Sequence, residues 1–259
     1  MRIAVCAKVV PTARHGRSID PSTGRIVRDA GSLSDLDRHA LEEAIKLKER
    51  GEADEVVCVA VAPSASTGAV QDALGMGADR AEHIADPALE GSDLLATSRV
   101  LASVLASVQA DLIIFGPQGE DSAGGLLWAA VAGRLGLPVL SQCTRLTLAG
   151  QQVIAMRQTE AGYETLTAAL PCLVSVSAGI NQPRYVSMRG KLLARRKPHN
   201  LVPLSATGVD PALVGAVGAG TKVLGLREPP ARGERRTISD GPDAAARVFE
   251  FLREKKLLP

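Results

Sequence analysis

Leu112-Ile-Ile-Phe-Gly-Pro-Gln-Gly-Glu-Asp-Ser-Ala-Gly-Gly-Leu-Leu-Trp128 decides the fold. Four apolar residues, Leu112–Phe115, are too few for a buried helix and read as a buried strand. A glycine-rich loop, 116–125, follows, and then a helix to about Leu135 that Gly136 stops. A buried strand running through glycines into a helix is the unit from which parallel α/β sheets are built.

The same grammar extends outward on both sides. Residues 3–10 read as a first buried strand ended by Pro11, followed by a long polar excursion, 11–32, with turn signals from Asp20 to Gly24. Ser34 opens a helix with Asp37 three residues on, the spacing of a capping box, and its apolar period holds to Gly51. Glu55–Val61 is the second strand, Pro63-Ser64 begins a helix that closes at Gly75–Gly77, and Arg80–Ile84 is a short strand. Ser92-Asp93 caps a helix to about Val108. Strand alternating with helix predicts a doubly wound parallel sheet with right-handed crossovers.

After residue 140 the pattern changes. Val139–Leu140 begins a strand, and Gln142–Leu148 and Val153–Gln158 alternate around Ala149-Gly150, which predicts an antiparallel hairpin. Glu164–Leu170 and Leu173–Ser177 add two strands. Residues 198–242 are rich in Gly, Pro and Ala without a clear period, and a terminal helix carries Ala244, Val248, Phe249 and Leu252. The domain expectation is therefore a nucleotide-binding α/β domain over 1–198 and an extended C-terminal arm over 199–259 that packs on a partner.

Composition excludes several classes. Net charge is +2 and aromatics are 2% of residues, so neither a basic field nor stacking platforms point to nucleic acid. The cysteines and histidines are scattered, with no C-x-x-C, so no metal site is expected and buried free thiols are. No apolar run reaches the ~18 residues of a membrane span. The first strand starts at Ile3, so no signal peptide is expected and the location read is cytoplasmic. No nucleophile elbow, Walker loop or G-x-G-x-x-G is present.

Ligands of open parallel sheets bind beyond the carboxyl ends of the strands, where strand order switches. Three loops qualify: Lys8–Pro11, Ala62-Pro63-Ser64, and 116–125, whose glycines let backbone N–H groups approach an anion.

Several segments, in order from residue 3 to about 198, resemble the electron transfer flavoprotein beta family. Leu173 through Asn181-Gln-Pro-Arg-Tyr185 is similar to its strand followed by Asn-x-Pro-Arg-Tyr. Arg157-x-x-Glu160-x-Gly162-x-Glu164 with Leu170-Pro171, Ala40–Lys48, Ala73–Arg80 and Gly116-x-Gln118-x-x-Asp121 resemble other stretches of it. The resemblance implies an adenine-nucleotide hydrolase-like fold and electron shuttling between flavin-containing dehydrogenases and an acceptor, with no catalytic site of its own. It implies a heterodimer with an alpha subunit that shares FAD with this chain. It also implies a buried AMP, or a second FAD in bifurcating members. The cofactor residues it implies are Cys6, Ser34, Asp35, Leu36, Asp37, Ala62, Gly116, Gln118, Asp121, Ser122, Ala123, Gly124, Gly125, Leu126, Leu127 and Trp128. The partner-docking residues it implies are Tyr185, Met188, Arg189 and Lys191, in a basic segment that also holds Arg195, Arg196 and Lys197. Ser34 stands where the family has Asn, Trp128 where it has Gly, and Asp121-Ser-Ala-Gly-Gly-Leu126 where it has Asp-Gly-Asp-Thr-Gly-Gln.

The rival reading is an ATP- or AMP-binding stress-protein-like sensor. Gly116 and Gly119 match its Gly-x-x-Gly pair, but Ala129-Ala130 stand where its Gly-Ser or Gly-Thr belongs.

Overall fold

The computed structural model describes residues 1–11, 18–28, 31–227, 230 and 237–258. In chain order the elements are β1 (Arg2–Cys6), β2 (Val9–Pro11), β3 (Ile19–Asp20), β4 (Arg25–Ile26), β5 (Gly31–Leu33), α1 (Asp35–Glu49), β6 (Glu55–Val61), α2 (Thr67–Met76), β7 (Arg80–Ile84), α3 (Leu94–Val108), β8 (Leu112–Phe115), α4 (Leu127–Leu135), β9 (Val139–Ala149), β10 (Gln152–Thr159), β11 (Gly162–Ala169), β12 (Cys172–Val176), α5 (Met188–Ala194), β13 (His199–Val202), α6 (Gly215–Gly218) and α7 (Ala244–Glu254).

Nine strands form one sheet in the order β11-β10-β9-β12-β8-β1-β6-β7-β13. From β9 to β13 every pairing is parallel, while β10 runs antiparallel to its two neighbours, β9 and β11. Successive side chains of a strand face opposite sides, and β1 shows the consequence. Ile3 and Val5 pack with Leu41, Ile45, Val70 and Leu74 from α1 and α2. Ala4 and Cys6 pack with Val100, Val104, Leu105 and Val131 from α3 and α4. Helices thus cover both faces, as the alternation of strand and helix predicts.

Local chemistry departs from the sequence reading in four places. Residues 3–10 are two strands, because both backbone groups of Lys8 leave the sheet: its N–H donates to Asp37 Oδ2 (2.8 Å) and its carbonyl accepts from Ser34 N–H (2.9 Å). The capping box does not form, since Ser34 makes no side-chain cap bond and Asp37 serves Lys8 instead. The hairpin is not a separate region. β9 pairs with β12 through Val139 and Leu140, bends at a register shift where Gln142 has φ +55° and donates its N–H to Ser175 Oγ, then pairs with β10. Lastly, residues 199–224 do not belong to an arm. β13 pairs with β7, and the first compact unit runs Met1–Leu224, leaving Gly225–Pro259 as the second.

The second unit contains α7, whose Val248 and Phe249 are exposed. Asp93 caps α3 as read, accepting from Ala96 N–H at 2.9 Å. All four cysteines are buried and free, and burial pushes the Cys58 thiol up to about 12 and that of Cys172 to about 11. Among the described residues, no helix is long and apolar enough to cross a membrane.

Candidate functional site

β1 lies between β8 and β6, so chain order reverses across it and the carboxyl ends of these three strands open a crevice. Four segments meet there: the turn after Cys6, the start of α1, the Ala62–Ser66 turn, and the 116–125 loop. Asp37 joins two of them. Its buried carboxylate accepts from Lys8 N–H and from the Gly116 backbone. Burial drives its pKa up to about 7, against the pull of those N–H groups and of the Lys8 charge. Gly116 has to be glycine, because a Cβ there would lie 2.3 Å from Asp37 Oδ1.

Asp121 secures the loop from the other side. Lys8 Nζ donates to its Oδ1 at 2.5 Å and Arg28 Nη2 donates to its Oδ2, while the Asp121 side chain is wholly buried. Burial alone would raise this carboxyl, but Lys8 and Arg28 hold it below the usual range. Lys8 Nζ also reaches Ser122 Oγ (3.2 Å), and Arg28 Nη1 donates to Val9 O (3.3 Å). Sequence reading found the acid and missed both cations. Lys8, a cation two residues beyond β1, was the available signal for one of them.

Within the loop, Ser122 and Ala123 N–H turn back to Gly119 O, and Ala123 takes φ +49°. A Cβ on Gly124 or Gly125 would meet only Ser122 Oγ at 4.0 Å or Ala123 O at 3.8 Å, and Leu126 supplies no side-chain cap to α4. The amino end of α4 therefore keeps uncapped N–H donors, which suits an anion. Leu126 is exposed, Leu127 and Trp128 pack on the α3–α4 core, and the indole N–H donates to Pro117 O (3.3 Å). Gln118 is exposed. Ser34 is fully buried, and its side chain helps to lower the pKa of the Asp37 carboxyl against burial. Uncapped N–H groups at the start of α4 suit a phosphate such as that of the nucleotide or flavin that the resemblance implies.

Of the other expected residues, Asp35 and Leu36 form the crevice rim, with Asp35 N–H bonded to Glu120 Oε2 (3.1 Å). Cys6 is a buried thiol whose pKa burial raises well above the ordinary value. Ala62 offers its carbonyl to His83 Nε2 (3.0 Å). His83 in turn stacks on His199, so two histidines that look scattered in sequence meet. Among the described residues there is no group of three or more metal-ligating side chains.

The residues expected to dock a partner lie in the segment after Arg184, which packs beside α1 and α2. Arg184 clamps the preceding segment: its guanidinium bonds both the buried Glu42 (2.8 Å) and Glu49 (2.6 Å). Asn181 Nδ2 adds bonds to His39 O and Glu43 Oε2, both 3.0 Å. Beyond this clamp Tyr185 is 95% and Met188 77% exposed, and Arg189, Lys191, Arg195 and Arg196 are exposed with them. Lys197 is the exception, since its ammonium is turned inward onto the end of α2.

A family model described as the electron transfer flavoprotein domain matches residues 23–207. The chain belongs to the electron transfer flavoprotein family. Its relatives place it with the beta subunits. It is 32% identical to the electron transfer flavoprotein subunit beta of Mycobacterium leprae, over 99% of each chain. It is also 32% identical, over the whole of both chains, to the caffeyl-CoA reductase-Etf complex subunit CarD of Acetobacterium woodii. The beta subunit of Megasphaera elsdenii is 28% identical over 98% of this chain and 97% of its own. The family's electron-transfer role is accordingly this chain's role, and the sensor reading finds no support.

Proposed function

We propose that the chain is a non-catalytic carrier subunit which holds an adenine nucleotide in the β1–β8 crevice and, with an alpha-type subunit, shares the FAD that carries the electrons. The observation that carries the nucleotide part is the uncapped start of α4, which follows the glycine-rich loop that Asp121 braces. Asp121, consumed by Lys8 and Arg28, braces the loop, so backbone donors at Gly124 through Trp128 do the binding. AMP suits that set. A second FAD would present a diphosphate to the same donors, and the Acetobacterium relative is named as a subunit of a reductase-Etf complex.

Docking of flavin-containing dehydrogenases falls to the segment Tyr185–Arg196. Met188 is an adaptable apolar anchor, and the surrounding Arg and Lys side chains raise encounter rates at low salt. The second unit, from Gly225, supplies the surface for the alpha-type partner. A cytoplasmic location accords with the free buried thiols.

The test is to purify the chain with its alpha-type partner, denature the complex, and quantify the released nucleotides. About one AMP per complex supports the reading, and a second FAD supports its bifurcating form. Neither AMP nor a second FAD would overturn the nucleotide site. In the same complex, Met188→Ala should lose about 1–2 kcal/mol of docking energy, the scale of an interface anchor, with FAD content unchanged.

A further inference from the structure

Seven residues make a poor helix by themselves, since isolated helices shorter than ~12–15 residues are marginal in water. α5 is nevertheless regular, although Met188, Leu192 and Leu193 face solvent and Ala194 is its single buried residue. Contacts with its neighbours, and not its own apolar face, must hold it.

Those contacts are specific. A Cβ on Gly190 would lie 2.4 Å from Gly75 O, and a Cβ on Gly75 would lie 2.6 Å from Val186 Cγ1. Neither glycine has a positive φ, and both sit inside helices, where alanine is the better helix former. What glycine provides at both places is space: the backbone of α5 rides directly on that of α2. At the far end Lys197, whose N–H bonds Ala194 O, sends its ammonium to Leu74 O (2.9 Å) and Ala78 O (2.6 Å). Those carbonyls belong to the last turn of α2 and the residues just after it, where orphan acceptors collect and a cation is favoured. Ser187 Oγ caps the start of α5 itself, accepting from Gly190 N–H at 3.0 Å.

We infer that Gly75, Gly190 and Lys197 are positioning residues for dehydrogenase docking: the glycine crossing sets the height of α5 on α2, and the lysine fixes its far end. An anchor that is held in place before contact loses less freedom on binding, which matters most when the contact is small. Lys197 thereby leaves the group of steering charges in which its sequence neighbours Arg195 and Arg196 remain. The inference rests on the docking role given to Met188.

The experiment uses the intact heterodimer and a dehydrogenase titration that yields KM and kcat separately. Gly190→Ala and Lys197→Met should each raise KM by roughly five-fold, toward the effect of losing an anchor, with kcat at saturation, FAD content and reduction by dithionite unchanged. Lys197→Arg should restore most of the loss. In the Met188→Ala background each change should add less than its own factor, because both act through the same contact. A silent Met188→Ala would sink the docking reading itself. An effective Met188→Ala with silent or fully additive Gly190→Ala and Lys197→Met would overturn the positioning role. Should both variants fail to assemble, hydrogen exchange in the wild-type complex decides. Protected amides over Gly190–Ala194 uphold the inference, and exchange at the rate of an unstructured peptide refutes it.

Discussion

The carboxylate of Glu120 accepts a hydrogen bond from the backbone N–H of Asp35 at 3.1 Å, so an acid of the glycine-rich loop sits on the first turn of α1. The amino end of a helix attracts any anion, and here a side chain of the same crevice already provides one. A nucleotide phosphate drawn toward α1 must compete with it. Glu120→Gln should therefore tighten AMP binding to nucleotide-stripped heterodimer by about two- to five-fold, the effect of the ~0.3–1 kcal/mol that one charge contributes at a helix end. The gain should shrink in high salt. Calorimetric titration of both proteins gives the answer, and equal affinities would mean the phosphate never senses this carboxylate.

Asp37 gives the stability of the fold a downward slope with pH. Its folded pKa of about 7 lies above the unfolded value near ~3.9, so between the two the folded state binds more protons than the unfolded state. Stability from this group is full at the acid side and is lost as pH rises through about 7, at up to ~1.4 kcal/mol per pH unit. Asp37→Asn cannot titrate. The difference in denaturation midpoint between wild type and variant should thus move in the variant's favour from about pH 4.5 to 7.5. Parallel pH profiles would remove Asp37 as the source.

His83 and His199 act in the opposite sense. Because Ala62 O can only accept, His83 Nε2 carries the proton, His83 Nδ1 is the acceptor, and His199 Nε2 donates across 3.3 Å. Burial lowers both pKa values, and the neighbouring His199 charge lowers that of His83 further. For groups held neutral in the fold, stability is present above the unfolded value near ~6.5 and is lost as pH falls. His199→Gln keeps a donor for His83 without a titrating ring. Its acid loss between about pH 6.5 and 5 should be shallower than that of wild type, and amides of β13 should stay protected where wild-type ones begin to exchange. Identical acid limbs would place the sensitivity elsewhere.

How much of this was legible in the residues depends on distance along the chain. The strand–glycine loop–helix run at Leu112–Leu135 and the Asp93 cap are local patterns, and both stand as read. Asp37 was misassigned because the capping-box spacing is local, whereas the Lys8 N–H that claims its carboxylate arrives from 29 residues upstream. Lys8 could be noticed by its place after β1, but its pairing with Asp121, 113 residues away, is written in no local pattern. β13 escaped notice because four residues, His199–Val202, with their middle two exposed, show neither an apolar run nor alternation. Lys197 looked like its basic neighbours because only the fold turns it toward α2.

The place of β12 in the sheet bears on how the chain is made. Its five residues, Cys172–Val176, are all buried and lie between β8 and β9, although both of those strands are synthesised well before it. Until residue 176 has left the ribosome, β8 presents a bare inner edge to the crowded interior of the cell. The β9–β10–β11 meander, complete by residue 169, cannot be joined to the rest. A nascent chain stalled in the interval would hold two half-sheets with adhesive borders, the kind of surface that captures other unfinished chains. The last parallel strand to enter beside β8 is thus a clasp, and between the synthesis of residue 115 and that of residue 176 the inner edge of β8 has no partner from this chain.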